Sequence, residues 1–476
     1  MGSFFVRTAQ RAHVLRALVV WLPALVAAPS QADPRHCQGA LVAATAAQCA
    51  LENSPELRSA RLQLQAFSEQ RKSAGRILPS HPQVSVLVAD RRLFSGSGSA
   101  AEPGAALNWY LTLSQEIEIA GQRGQRVAAV DAEAAAQLRR VAVIEQETTA
   151  HALRIFAEAL AAREDLALAE RAAEVAAAMS RYATARAAQE LVPSIEADLA
   201  RAEAARLHLL RSEAEQRARS AEATLHLWLL PAEIAEAAPQ NVIHAAGSLD
   251  DVLPMGIVDA PRPDVAETQP SPTDRELVPS ALRLRADLDV ARLEVHIKQA
   301  QRDLLRRSRV PNLVLSLTAQ SDGFGERVLG GGINLPLPLP EPLGPSRGGD
   351  VAAAGLAIEQ AQLDVDKRRR QIVLEVQLAL SAVRAAQRAM SEVPGELIAR
   401  AQTDLWAIAE AIRGGRVSLR EALLWQRGLL DLLQLHVRAR RDYALARIEL
   451  RRASGLPLVQ DGRSTQPAAP KVEVPR

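Results

Sequence analysis

The side chains that could do chemistry in this 476-residue chain are few and scattered. It has nine histidines, and no two of them stand four residues apart, the helical spacing that lets two imidazoles bind one metal ion. The chain contains no HExxH and no glycine-rich phosphate loop followed by lysine. The sequence therefore predicts neither an enzyme nor a metal centre, and no cofactor is expected.

The N-terminus has the pattern of a secretory signal. Arg7, Arg11 and Arg16 precede an apolar run over 17–28, and the small-x-small sequence Ser30-Gln31-Ala32 follows. We expect residues 1–32 to be removed after export, so that the mature chain begins near residue 33. No other long uninterrupted apolar stretch is present, so no transmembrane helix is predicted.

Cys37 and Cys49, the only cysteines, follow the predicted cleavage site closely. In an oxidising compartment such a pair favours a disulfide. The alternative is two free thiols in a loose N-terminal segment.

Composition indicates which elements build the fold. Aromatic residues make up 3% of the chain and apolar residues 48%, much of it alanine. Small apolar side chains suit long helices packed closely side by side. The 57 basic and 55 acidic residues are interleaved along helical stretches, which is typical of solvated helix faces. No polybasic block with interleaved aromatics occurs, so we predict no nucleic-acid partner.

Hydrophobic periodicity places a β-hairpin before a long helical hairpin. The segment 107–119 alternates apolar and polar residues, and 83–93 does so more weakly, so a β-hairpin is predicted at about 83–119. Residues 125–192 contain neither Gly nor Pro, which predicts one long helix. Pro193 then interrupts it, and a second helix is predicted to about residue 230.

The second half repeats this order. A second β-hairpin is predicted at about 311–340, followed by a long helical hairpin at about 350–453. The β-hairpins are offset by about 229 positions and the helical turns by 225, which indicates an internal duplication. Only the second copy has a breaker, Pro394-Gly395, inside its first long helix.

The predicted organisation is therefore two tandem repeats. The first spans 33–230, with a helix, the hairpin at 83–119 and the helical hairpin at about 122–230. A Pro-rich connector over 231–279 leads to the second repeat at 280–455, and 456–476 is predicted to be a disordered tail.

The arrangement resembles the TolC-like outer-membrane efflux protein family over nearly the whole mature chain. The three landmarks are the first helix at 52–58, the strand-to-helix segment at 113–124 and the second helical turn at 415–424. The strand-to-helix segment is most similar to the cation-efflux, CzcC-like branch.

The resemblance implies a mainly α fold with a small β part, in which a long coiled-coil α-helical barrel adjoins a β-barrel shared between subunits. A homotrimer would embed twelve strands, four per chain, in outer-membrane lipid, with most of each chain in the periplasm. Such a channel is a passive exit duct for small solutes or metal cations. It works with a periplasmic adaptor protein and an inner-membrane pump, here expected to be of the RND type. An exit duct for type I protein secretion and a periplasmic coiled-coil scaffold without a pore remain the alternatives.

The resemblance also assigns site residues. The two helical turns match the periplasmic tip that meets the adaptor; they comprise Glu190, Leu191, Val192, Pro193, Ser194, Gly414, Gly415, Arg416, Val417 and Ser418. Ordinary turns without a partner are the alternative.

Carboxylates just after the second turn constrict the tunnel in the family. Glu196 and Glu421 match that position in the two copies, whereas Leu424 stands where a second acidic residue is common. Solvated helix charges are the alternative. Trp109 and Tyr110 are candidates for an aromatic girdle at the bilayer interface.

Overall fold

The computed structural model describes residues 37, 39–91, 106–231, 243–253, 272–321, 326–337, 346–414 and 416–459. The predicted signal peptide, the hairpin loops around 95–99 and 322–325, and Gly415 lie outside these residues.

In the part of the first half that the structure describes, the helices are α1 Ala43–Asn53, α2 Pro55–Ala74, α3 Gln122–Ala188 and α4 Ser194–Leu229. The 67 residues of α3 form one uninterrupted helix, which is roughly 100 Å long at about 1.5 Å per residue. The absence of Gly and Pro after residue 124 permits this length. α3 ends at Ala188, shortly before Pro193, which cannot continue a helix.

The second half contains α5 Pro272–Leu284, α6 Ala286–Arg307, α7 Gly348–Ser391, α8 Gly395–Arg413 and α9 Leu419–Ser454. The predicted break at Pro394 is confirmed, because α7 ends three residues before it and α8 begins directly after it. The helix continuous in α3 is therefore divided in the second copy.

Equivalent helix breaks support the duplication. Ser54 separates α1 from α2, and its Oγ accepts a hydrogen bond from the N–H of Leu57 at 3.2 Å. Arg285 separates α5 from α6, and there Asp287 Oδ1 accepts from the N–H of Leu288 at 2.8 Å. Leu57 and Leu288 are both buried. They stand 231 positions apart, close to the offset of the hairpins.

Within the described ranges, six strands form two sheets. β1 Gly39–Leu41 pairs in parallel with β4 Ile243–Ala245. The larger sheet has the order β2-β3-β5-β6 and is antiparallel throughout. Its strands are β2 Gln83–Arg91, β3 Ala106–Ile117, β5 Leu313–Ser321 and β6 Arg327–Asn334.

Three boundaries differ from the sequence prediction. β6 ends at Asn334, before Pro336 and Pro338, because proline has no N–H to donate to a ladder. α5 begins at Pro272, inside the predicted connector, and accommodates Pro279 within the helix. The β4 strand also lies in that connector, with Ile243 fully buried.

The beginning of the predicted tail also differs from the prediction. Leu458 is buried against the main core, so residues 456–459 are packed rather than disordered. The rest of the tail, 460–476, lies outside the described residues.

Alanine forms much of the helical core, and a buried carboxylate links two of its helices. Glu203 of α4 has a side chain that is 1% exposed; it accepts hydrogen bonds from Arg206 at 2.7 Å and from Arg427 of α9 at 2.5 Å. Burial alone would raise the pKa of Glu203, but hydrogen bonds from the two guanidinium groups outweigh it and lower the pKa below its usual value. The pair fixes α4 against α9.

A disulfide joins Cys37 to Cys49, with the Cα atoms 5.8 Å apart. It ties the segment before β1 to α1, and both cysteines are buried. Among the described residues, no helix combines the length and the apolar character needed to span a membrane.

Candidate functional site

The four-stranded sheet is amphipathic, and its apolar face is exposed. Val86 pairs with Leu111 across the first ladder, and Leu315 pairs with Ile333 across the last. Val86 is 65% exposed and Ile333 is 73% exposed, although buried strands normally hide such side chains. The other exposed apolar side chains of this face are Val84, Val88, Leu107, Trp109, Leu113, Leu317 and Leu329.

The opposite face is mainly polar. Thr112 and Thr318 approach to 3.5 Å between their hydroxyl groups, and Gln320 Nε2 donates to the hydroxyl of Tyr110 at 3.3 Å. Trp109 and Tyr110 are consecutive in β3 and lie on opposite faces, because side chains alternate along a strand. Only Trp109 therefore remains a candidate for an aromatic girdle on the apolar face.

A single hydrogen-bonded layer joins the sheet to the helices. Gly121, with φ of 74°, ends the extended segment and begins α3, a left-handed conformation that suits glycine. Buried Gln122 then donates through Nε2 to the carbonyl oxygen of Val310 at 3.2 Å and to Asn312 Oδ1 at 3.0 Å. Asn312 Nδ2 donates to Glu116 at 2.8 Å.

Sequence reasoning included Gln122 in the strand-to-helix segment but gave it no role. Its partners stand 188 and 190 positions away, so neither periodicity nor a short motif could identify them.

The two helical turns share one closing hydrogen bond. At the end of α3 the N–H of Leu191 donates to the carbonyl of Arg186 at 3.0 Å. At the end of α8 the N–H of Arg416 donates to the carbonyl of Ala411, also at 3.0 Å. These six-to-one hydrogen bonds are typical of the Schellman motif. Glu190 adopts φ of 55° in the first turn, which costs free energy in a residue other than glycine.

The turns lie beside each other. One cleft of about 330 Å³ is lined by both of them and by the end of α3, including Val192, Glu196, Arg416, Val417 and Ser418. Arg186 also lines this cleft, and its Nε is buried without a hydrogen-bond partner. Leu191 is 57% exposed and Ile195 73% exposed, so apolar side chains remain uncovered at this end of the helices. Of the predicted turn residues, Gly414 is the C-cap of α8, Pro193 is the N-cap of α4 and Ser194 is the first residue of α4.

A hydroxyl group caps the helix that follows the second turn. Ser418 is the N-cap of α9, its Oγ accepts from the N–H of Glu421 at 3.3 Å, and its backbone N–H donates to Glu421 Oε2 at 3.1 Å. This is a capping box. Hydrogen bonds from the Ser418 hydroxyl and from its backbone N–H lower the pKa of Glu421.

The two constriction candidates therefore differ. Glu421 has a structural partner in Ser418, whereas Glu196 occupies the same position of α4 behind Pro193, which has no hydroxyl. Among the described residues, no three His, Cys, Asp or Glu side chains form a group that could hold a metal ion.

Comparison with known proteins identifies the fold. Residues 277–456 match the family described as outer membrane efflux protein. The chain is 26% identical over 308 residues, 64% of its length, to the cobalt-zinc-cadmium resistance protein CzcC of Cupriavidus metallidurans. The match spans 65% of the length of that relative.

Solved structures of other proteins are similar in fold over a larger share of the chain than the sequence matches cover. The open state of the MtrE outer membrane channel of Neisseria gonorrhoeae superposes with a TM-score of 0.65 at 16% identity, covering 90% of this chain and 92% of that one. The CmeC outer membrane channel of Campylobacter jejuni gives 0.65 at 17% identity, covering 88% and 87%. The mainly α fold with a small β part is therefore confirmed.

The capping box predicts a pH-dependent start of α9. Because the pKa of Glu421 is lower in the folded chain, its contribution to stability is present above the usual carboxyl value of about 4.5 and is lost as the pH falls through the folded-state pKa. Glu421→Gln should therefore destabilise the protein at about pH 7 and differ little from the wild type at about pH 3. Ser418→Ala should cost about 1 kcal/mol at neutral pH. Thermal unfolding at both pH values measures the differences.

Glu196→Gln is the matched control for the loss of one negative charge at the same helical position. A loss of stability in Glu421→Gln that is independent of pH, or one that Glu196→Gln reproduces, would contradict the role of the capping box.

Proposed function

We propose that the chain is the outer-membrane exit channel of a tripartite efflux system, because residues 277–456 match the outer membrane efflux protein family and the chain is similar to CzcC. The observation that carries the proposal is the four-stranded sheet, whose apolar face is exposed and whose outer strands are unpaired on one side within the described residues. Its strands have 8 to 12 residues. A tilted strand of about 9–11 residues crosses a bilayer.

The sheet alone cannot be stable in lipid. Open edges expose backbone N–H and C=O groups, and each unsatisfied group costs several kcal/mol in hydrocarbon. Copies of the chain can remove the edges by pairing β2 of one with β6 of the next. Three copies give the twelve-stranded barrel of the family, with the apolar face toward lipid and the polar face lining the lumen.

The helices then form the duct below the membrane. α3 runs from the sheet to the first turn, and α4 returns from that turn as far as α1, where Asn53 Nδ2 donates to the carbonyl oxygen of Leu229. In the second half α7 and α8 lead from the sheet to the second turn, and α9 returns as far as Arg285, which donates to the carbonyl oxygen of Ala453. A length of roughly 100 Å is of the size needed to cross much of the periplasm. The outer membrane is the proposed location, and the signal peptide remains a prediction.

We propose that the two turns dock a periplasmic adaptor that links the channel to an inner-membrane pump of the RND type. Their shared cleft, the buried Arg186 Nε and the exposed Leu191 and Ile195 support contact with partner helices. Glu196 and Glu421 are proposed to narrow the tunnel near this end, where carboxylates of several chains would favour cations. Export of metal cations is proposed because of the similarity to CzcC, with other small solutes as the broader class.

The channel itself is tested by reconstitution. The purified full chain should require detergent for extraction, migrate as a heat-modifiable trimer and conduct ions in planar bilayers. A monomer extracted without detergent that forms no conducting species would contradict the proposal and favour a periplasmic scaffold.

Adaptor docking is tested by a charge placed on the tip. Leu191→Asp should abolish binding of the adaptor while conductance and thermal stability stay unchanged, because Leu191 is exposed. Leu209→Asp is the matched control, since Leu209 is 68% exposed on α4, away from the turns. Binding is measured by co-purification of the adaptor expressed with the channel. Equal binding by both variants would show that the turns do not dock it.

A further inference from the structure

Arginines are concentrated where the sheet joins the helices. The four junction segments are 75–82, 118–126, 306–312 and 346–349, and together they contain seven arginines and one carboxylate. The carboxylate, Glu118, is paired with Arg126. The other six arginines are exposed and are named here the arginine collar: Arg76, Arg123, Arg306, Arg307, Arg309 and Arg347.

Hydrogen bonds hold the four junctions in one layer. Arg123 Nε donates to the carbonyl of Gly75 at 2.7 Å, which links the first junction to the second. Gln122 links the second to the third through Val310 and Asn312. Arg309 Nε donates to the carbonyl of Ser346 at 3.0 Å and links the third to the fourth. The collar is therefore a continuous ring segment around one end of the sheet.

The protein itself neutralises little of this charge. Apart from Arg306, which has Asp303 at 4.0 Å, no collar arginine has a carboxylate within ion-pair distance in the described part of the chain.

Helix stability explains only part of the collar. Arg306 and Arg307 lie in the last turn of α6, where a cation is favourable to the helix dipole. Arg123 lies in the first turn of α3, which has no acidic residue, and Arg347 is the N-cap of α7. A cation at a helix N-terminus is unfavourable, so the helix dipole does not explain the arginines at these two positions.

Exposed apolar side chains accompany the arginines. Ile77 follows Arg76 at the first junction and is 74% exposed. Ile119 and Val310 occupy similar positions at the second and third junctions and are also exposed. Apolar side chains beside arginine fit the boundary between acyl chains and headgroups, where the apolar part inserts and the guanidinium group reaches the phosphates.

We propose that the arginine collar binds the phosphates of anionic phospholipids in the periplasm-facing leaflet and fixes the depth of the sheet in the membrane. The inference rests on the proposed membrane channel. Guanidinium groups bind phosphate oxygens through paired hydrogen bonds. The collar adjoins the apolar face of the sheet, so a bilayer that covers that face brings its headgroups to the collar.

The test compares lipid selectivity in three reconstituted proteins. The collar variant carries Arg76→Gln, Arg307→Gln and Arg347→Gln, which leaves the hydrogen-bonding Arg123 and Arg309 intact. The control variant loses three exposed arginines of the helices far from the sheet through Arg181→Gln, Arg211→Gln and Arg369→Gln. Spin-labelled phosphatidylglycerol and spin-labelled phosphatidylcholine, each in phosphatidylcholine vesicles, report the relative association constants.

The wild type and the control variant should prefer phosphatidylglycerol by at least about two-fold, and the collar variant should lose most of this preference. Equal preference in all three proteins would overturn the proposal. If the collar variant does not assemble, the salt dependence of the wild-type protein's preference for phosphatidylglycerol tests the proposal. Its preference should weaken between about 0.1 M and about 1 M salt, and a preference that is absent or insensitive to salt overturns the proposal.

Conductance in phosphatidylcholine bilayers separates this inference from the proposed channel. Conducting wild-type protein without lipid selectivity would refute the collar alone. Failure of the wild type to insert or conduct would instead refute the channel.

Discussion

The backbone groups on the outer sides of β2 and β6 set the main constraint on this structure. Within the described residues each of these strands is paired on one side only, in a sheet whose apolar face is exposed. Lipid covers such a face favourably but cannot satisfy the open edges. Under the proposed function, strands of neighbouring copies pair with these edges. The proposed trimer follows from this requirement, because four strands are too few to close a barrel alone.

The helical part meets a different requirement: long helices must pack closely with few large side chains. Alanine permits the close approach, and buried contacts such as Glu203 with Arg427 fix one helix against another. The division of the second long helix at Pro394 makes the two halves unequal. Three duplicated chains would consequently give a duct with only approximate sixfold symmetry.

Local patterns in the sequence predicted much of this fold. Period-two alternation identified the strands, the absence of Gly and Pro identified α3, and Pro394-Gly395 identified the break between α7 and α8. The prediction was wrong at two prolines. Pro279 was assigned to the end of the connector but lies inside α5. The second β-hairpin was extended past Pro336, whereas β6 ends before it. The bridge from Gln122 to Asn312 and the pair of Glu203 with Arg427 join residues about 190 and 224 positions apart, so only the folded chain reveals them. The site residues at the turns came from the family resemblance.

Closure of the sheet between copies is tested most directly by cross-linking its two edges. Leu87→Cys on β2, combined in turn with a cysteine at each position of β6, should give covalent oligomers in the membrane that end at three chains for at least one combination. Thr318→Cys on the interior strand β5 replaces the β6 cysteine in the control and should give none. The native cysteines are already joined to each other. Absence of cross-links at every β6 position, or oligomers that grow beyond three chains, would contradict the account.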